Sequence, residues 1–173
     1  PAGREIVECA RALAQRLRES EELLAMMKGA GGGEISISAV STAKYHVPML
    51  LAEFRRKHPE VRVRLSVSNR EQVVRDLTEN SVDLAIMGTP PRGLDTIAVP
   101  FARHPIAIIA APGHALARSK RLPLARLAGE TFLIRERGSG TRSAMERVFR
   151  ERRFHPRETI EMSSNETIKQ AVM

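Results

Sequence analysis

Apolar and polar positions follow three patterns along the chain. In the opening stretch, Ile6, Ala10, Leu13, Leu17, Ser20, Leu24 and Met27 recur at alternating intervals of four and three residues, with good helix formers between them. That spacing predicts a long helix over residues 1–29 whose apolar seam faces a partner helix. Packing against its own domain is the alternative reading, and Ala10 and Ser20 weaken the seam. Gly29 suits a helix C-cap, and the glycine-rich residues 30–33 form a joint. Beyond it the pattern switches to strand and helix in alternation. "EISISAV" alternates apolar and polar residues, with Ser41 or Thr42 placed to cap the next helix. That helix is expected from about Pro48, carrying Val47, Leu50, Leu51 and Phe54 on one face. "VRVRLSV" alternates strictly, "SNRE" offers a capping box from Ser68 to Glu71, and "VDLAIMG" reads as a buried strand ended by glycine. A second round comes after it, with strand "IAIIA", a helical piece at "PLARLA", strand "TFLI", helix "SAMERVF", strand "ETIEM" and a helix from Asn165.

Alternation of this kind implies parallel sheets covered by helices. The fold class is therefore α/β, with two small Rossmann-like lobes, 34–100 and 101–173, fitting better than a single sheet. In open parallel sheets ligands bind beyond the carboxyl ends of the strands. That rule selects Ser41 and Thr42, Ser68 and Asn69, Gly88 and Thr89, the loop Gly138 to Thr141, and Ser163 to Asn165. Plain capping and turn formation explain each residue singly. Their repetition around one implied crevice argues for a ligand.

Composition narrows the ligand. The formal charge is +8, which favours an acidic partner or small anion, while 42% hydrophobic residues are ordinary for a globular chain. Aromatic residues make up 3%, too few for a surface that reads nucleic acid by stacking bases. A single cysteine, Cys9, excludes an intrachain disulfide and reads as a small buried helix residue. With neither a signal peptide nor a membrane-length apolar run, the expected setting is cytoplasmic.

"RERGSGTR", Arg135 to Arg142, concentrates the chemistry: arginines flank two glycines and two hydroxyls. Ser139, Thr141 and the amides near Gly138 and Gly140 could hold an anion, with Arg135 or Arg142 adding charge-assisted bonds and the other lobe completing the clamp. "GSGTRS" matches only part of a dinucleotide fingerprint because Ser143 stands at the third glycine, although Glu161 lies about twenty residues on. Neither a Walker lysine nor the glycine spacing of a nucleophile elbow is present. His46, His58, His104, His114 and His155 show no helical metal-ligand spacing, so no metal is expected. Among them His104, beside Arg103 near the lobe junction, is a candidate ligand contact. The run "RRKH", Arg55 to His58, reads as solvated charge at the negative end of its helix.

The stretches "GEISISAVSTAKYHVPMLLAEFRRKHPEV", "VDLAIMGTPP", "LDTIAVPF", "RERGSGTRSAMERVF" and "SNETIKQAVM" resemble the linker helix and effector-binding region of LysR-type transcriptional regulators. The last three of these are more specific than the fold and look most similar to regulators of carbon dioxide fixation operons. The resemblance implies two lobes of the type II periplasmic-binding-protein kind, an inducer between them, and pairing of subunits into a homodimer or homotetramer through the long helix. It assigns DNA contact to an amino-terminal winged helix-turn-helix and not to these residues. Carried onto this sequence, the effector positions are Ser41, Thr42, Ser68, Thr89 and the "GSGTR" loop, and phosphorylated intermediates or a reduced nicotinamide nucleotide are the expected signals. Because resembling proteins continue past Met173, the second lobe is expected to be incomplete, with apolar surface left open. The leading expectation is a ligand-sensing regulatory domain with no cofactor and no catalysis. An extracytoplasmic solute-binding protein of the same architecture and a nucleotide-dependent enzyme are the alternatives.

Overall fold

The computed structural model describes residues 2–27, 32–119 and 121–173. The proposed cap Gly29 and joint residues 30 and 31 lie outside the described residues, as does the side chain of Met27. The chain divides into two compact units, Pro1–Ala98 and Val99–Met173.

Unit 1 opens with helix α1, Ala2–Met27, an uninterrupted run of helix formers with Glu5 favourably placed in its first turn. At 1.5 Å per residue it extends about 39 Å. Its seam residues Ile6, Leu13, Leu17 and Leu24 are all between 55% and 68% exposed. Arg11 pairs with Glu79 at 3.4 Å. Cys9 is exposed in this single chain, not buried, because it lies on a helix that the rest of unit 1 does not enclose.

Strands β1 (Glu34–Val40), β2 (Arg62–Ser68) and β3 (Leu84–Ile86) form a parallel sheet in the order β2-β1-β3. Helices α2 (Val47–Lys57) and α3 (Arg70–Thr78) make the two crossovers. Central strand β1 is buried on both faces, with Ile37 and Ala39 on one and Ser36 and Ser38 on the other. Two serines in a core need partners. Ser36 donates to Asp83 at 2.6 Å, and Ser38 donates to Asp76 at 2.6 Å. Gln72 donates to the second oxygen of Asp76 at 2.7 Å, so the strand is fastened to α3 and to the approach to β3.

Three local expectations need correction. Ser41 and Thr42 do not cap α2, because Ser41–Tyr45 winds into a short 3-10 turn and His46 occupies the cap position. The capping box at Ser68 is displaced by one residue: Ser68 still belongs to β2, and Asn69 caps α3 by accepting from the Gln72 amide at 3.0 Å. The strand read from "VDLAIMG" is only three residues long and half-open at Leu84, since Asp83 is diverted to Ser36 and the chain turns at Gly88. Arg55, Arg56 and Lys57 do sit in the last turn of α2, where the helix dipole favours them.

Unit 2 contains β4 (Thr131–Arg135), α4 (Gly140–Glu151), β5 (Glu158–Met162) and α5 (Asn165–Ala171), with β4 and β5 parallel. Phe132, Phe149 and Phe154 pack edge to face with centroids 4.8 to 5.7 Å apart and pin α4 to the sheet. The expected strand "IAIIA" is not formed: residues 103–111 are irregular, and Ile106, Ile108 and Ile109 stay about half exposed. An apolar run records a preference for burial, whereas a ladder needs a neighbouring strand, and none pairs with this one among the described residues. The helical piece at "PLARLA" is a single 3-10 turn, Leu124–Leu127, entered through Pro123.

Candidate functional site

Register places the unit 1 candidates side by side. Val40 pairs with Ser68, and Ala39 with Ile86, so all three strands end at one rim. Ser41 and Thr42 leave β1 there, Ser68 and Asn69 leave β2, and Gly88 and Thr89 come after β3. Asn69 is committed to capping α3 through Oδ1. Arg70, in sequence an ordinary first-turn residue and not among the expected contacts, joins the rim. Its Nη1 donates to the Thr89 carbonyl and lies 3.2 Å from the Met87 sulfur. A guanidinium is thereby held at the rim by a backbone carbonyl and a thioether sulfur. The signal is present in the sequence, since the charge directly follows the "SN" that ends β2. A cavity of about 330 Å³ lies beside α3, lined by Ser36, Ser66, Ser68, Gln72 and Asp76 among others. Of the candidates, only Ser68 reaches it.

Unit 2 has a rim of its own. Arg135 pairs with Met162 across the two strands, so the loop entering α4 and the turn entering α5 emerge together. Arg135 is 3% exposed and fully engaged: Nε and Nη2 grip both oxygens of Glu136 at 2.8 and 3.0 Å, and Nη1 donates to Asn165 Oδ1 at 2.8 Å. It braces the end of β4 against the start of α5. Gly138, at φ +84°, takes the left-handed turn that swings the chain into α4. Ser139 is the N-cap residue, 2% exposed, yet its side chain makes no capping bond. No acidic residue occupies the first turn of α4, so the amides at Gly140, Thr141 and Arg142 present partial positive charge without a neutralising carboxylate.

Arg142 donates Nε to Glu146 at 2.7 Å and Nη1 to Glu161 and to the Arg135 carbonyl, the last at 3.2 Å. Its pKa is raised above an already high value, mainly by the hydrogen bond to Glu146, against opposition from burial. Both arginines flanking the loop are thus held by carboxylates of their own unit. At α5, Ser164 caps by accepting from Thr167 at 3.0 Å. His104 is exposed on the irregular stretch and makes no hydrogen bond or ion pair among the described residues. No group of three or more His, Cys, Asp or Glu placed to hold a metal occurs among the described residues.

Small parallel α/β units that gather hydroxyls, amides and helix N-termini without side-chain caps, those of α2 and α4, at their strand ends define a ligand-binding class of the periplasmic-binding-protein kind. The LysR substrate binding domain profile matches residues 28–173, and the chain belongs to that family. The RuBisCO operon transcriptional regulator of Allochromatium vinosum is 48% identical over 99% of this chain and 57% of its own length. The HTH-type transcriptional regulator CfxR of Cupriavidus necator is 47% identical over 91% of this chain and 50% of its own length. The chain therefore spans about half the length of these relatives. Among solved structures, the CcmR regulatory domain of Synechocystis PCC6803 in complex with 2-PG superposes with a TM-score of 0.78 at 39% identity, covering 81% of this chain and 67% of that one.

Proposed function

We propose that this chain is the effector-sensing part of a LysR-type transcriptional regulator of a carbon dioxide fixation operon, and that its effector is a small anionic metabolite. The observation that carries the proposal is the start of α4. Its N-terminus is neither capped by a side chain nor neutralised by an acid, and it begins at a nearly fully buried serine. Unit 1 adds Ser41, Thr42, Ser68, Thr89 and the Arg70 guanidinium. The relatives' roles as operon regulators and the binding of 2-PG by a domain 39% identical support a phosphorylated or carboxylate effector.

Magnitudes require more than one element. A helix N-terminus favours an anion by about 0.3 to 1 kcal/mol, at most near 2, whereas micromolar affinity corresponds to about 8 kcal/mol. One helix terminus accordingly does not suffice, and further hydrogen-bond donors take part in recognition. The effector acts by binding unequally to two arrangements of a homodimer paired through α1, and these arrangements differ in how they present DNA-binding segments outside the described residues. The protein works in the cytoplasm and catalyses nothing. Thermal-shift measurements against 2-PG, other phosphorylated metabolites, nucleotides and carboxylates test this. Stabilisation by an anionic member of the panel, lost in Thr141→Ala and in Ser41→Ala, is the expected result. Stabilisation insensitive to both substitutions would remove the proposal.

A further inference from the structure

Charge is distributed very unevenly. Residues 99–173 hold fourteen Lys and Arg against seven Asp and Glu, so unit 2 carries +7 of the chain's +8. Five of those arginines, Arg147, Arg150, Arg152, Arg153 and Arg157, fall within eleven residues whose only acid is Glu151. All five are exposed and none has an ion-pair partner among the described residues, in contrast to Arg135 and Arg142. Arg126 stands on the 3-10 turn beside them, since the Arg157 amide donates to the Ala128 carbonyl at 2.9 Å.

Topology separates this cluster from the rim at the start of α4. Helix α4 starts at the carboxyl end of β4 and returns to the amino end of β5, so its twelve residues carry the chain about 18 Å away before Arg150 to Arg157 gather. Beneath them lies the Phe132, Phe149 and Phe154 cluster, with Phe154 buried, and the exposed ring within the patch is the imidazole of His155.

The end of α4 also carries a cost that its fold does not need. The Phe154 amide donates to the Phe149 carbonyl at 2.8 Å and the Arg153 amide to Arg150 at 3.2 Å, which is the Schellman closure. Its left-handed position favours glycine, yet here it holds Arg153 at φ +49°. Cations favour a helix C-terminus only within its last turn. Five guanidiniums exceed that purpose.

We infer that the basic end of unit 2 is a docking surface for the phosphate backbone of duplex DNA, read without regard to sequence. Guanidinium forks suit phosphate oxygens, a patch with no exposed Phe, Tyr or Trp and His155 alone as a surface ring disfavours single strands, and an operon regulator holds a duplex nearby. That nearness of a duplex rests on the proposed function. Whereas the sequence resemblance places all DNA contact outside these residues, the charge distribution argues for an auxiliary contact within them.

Fluorescence anisotropy of a labelled 30-base-pair duplex of arbitrary sequence, titrated with this chain at several salt concentrations, tests the inference. About four phosphate contacts give a slope of log affinity on log salt near −3.6. Arg153→Gly should flatten that slope by about one unit while raising Tm, a pairing of effects that a structural role for the arginine does not produce. The combined variant Arg150→Ser, Arg153→Gly, Arg157→Ser should flatten it by about three, and the three corresponding lysine substitutions should preserve it. Circular dichroism confirms that each variant is folded. Absence of duplex binding at low salt, an unchanged slope in the triple serine and glycine variant, or equally tight binding of polyglutamate or a single strand would overturn the inference. The thermal-shift panel of anions keeps the two readings separate: a duplex slope with no member of the panel stabilising the chain supports this surface and sinks only the sensor.

Discussion

Hydroxyl and arginine positions that look alike in sequence do different work at the level of single residues. Arg135 spends its guanidinium on Glu136 and Asn165, so its removal strands a partly buried carboxylate and frees the start of α5. Breaking such a pair costs about 3 to 5 kcal/mol when fully buried, and about 2 to 4 here because Glu136 retains some solvent. Urea unfolding of Arg135→Ala checks this, with Arg135→Lys expected to recover less than half of the loss because a lysine cannot grip both oxygens. Thr141, by contrast, is expected to matter for ligand and little for stability. A hydrogen bond to a charged group contributes about 1.5 to 3 kcal/mol, so Thr141→Ala should weaken the effector by about ten-fold or more while shifting the urea midpoint only slightly. Arg70→Gln should weaken anions in the same way and leave uncharged analogues unaffected, as competition binding would show.

Elements are legible from the chain wherever local pattern and pairing agree. The alternation of "VRVRLSV" becomes β2, and the periodicity of "SAMERVF" becomes α4. Where pairing decides, pattern misleads: "IAIIA" has the hydrophobicity of a strand but no neighbour to hydrogen-bond among the described residues, and "VDLAIMG" is cut to three residues by the Asp83 link to Ser36. Capping shows the same limit, since Ser68 and Asn69 are both good caps and only the length of β2 chooses between them. Asn69→Ala should therefore cost about 1 kcal/mol in urea unfolding, whereas Ser68→Ala should cost well under half of that. The rim positions are readable from strand ends alone, and Glu136 and Glu146 are local neighbours of Arg135 and Arg142, but the partners that complete their engagement, Asn165 and Glu161, arrive from α5 and β5 and are not readable locally. For α1, the open seam at Leu13 and Leu17 leads to the expectation that Leu13→Asp, Leu17→Asp sediments as a monomer where the parent sediments as a dimer. An unchanged dimer would remove the seam.

For the whole molecule, sensing is proposed to depend on one anion bound per chain, with the dimer helix transmitting the result. Ligand binding to the folded state stabilises it by about 2.7 kcal/mol at a hundred times Kd, so an effector at that excess should raise the unfolding midpoint measurably. Isothermal titration calorimetry with 2-PG on the parent chain, Ser41→Ala, Thr141→Ala and the double variant is the most direct test. The expected result is one ligand per chain, a loss of affinity in either single variant, and losses that do not simply add in the double. Two independent ligands per chain, or affinity untouched by one of the two substitutions, would contradict it.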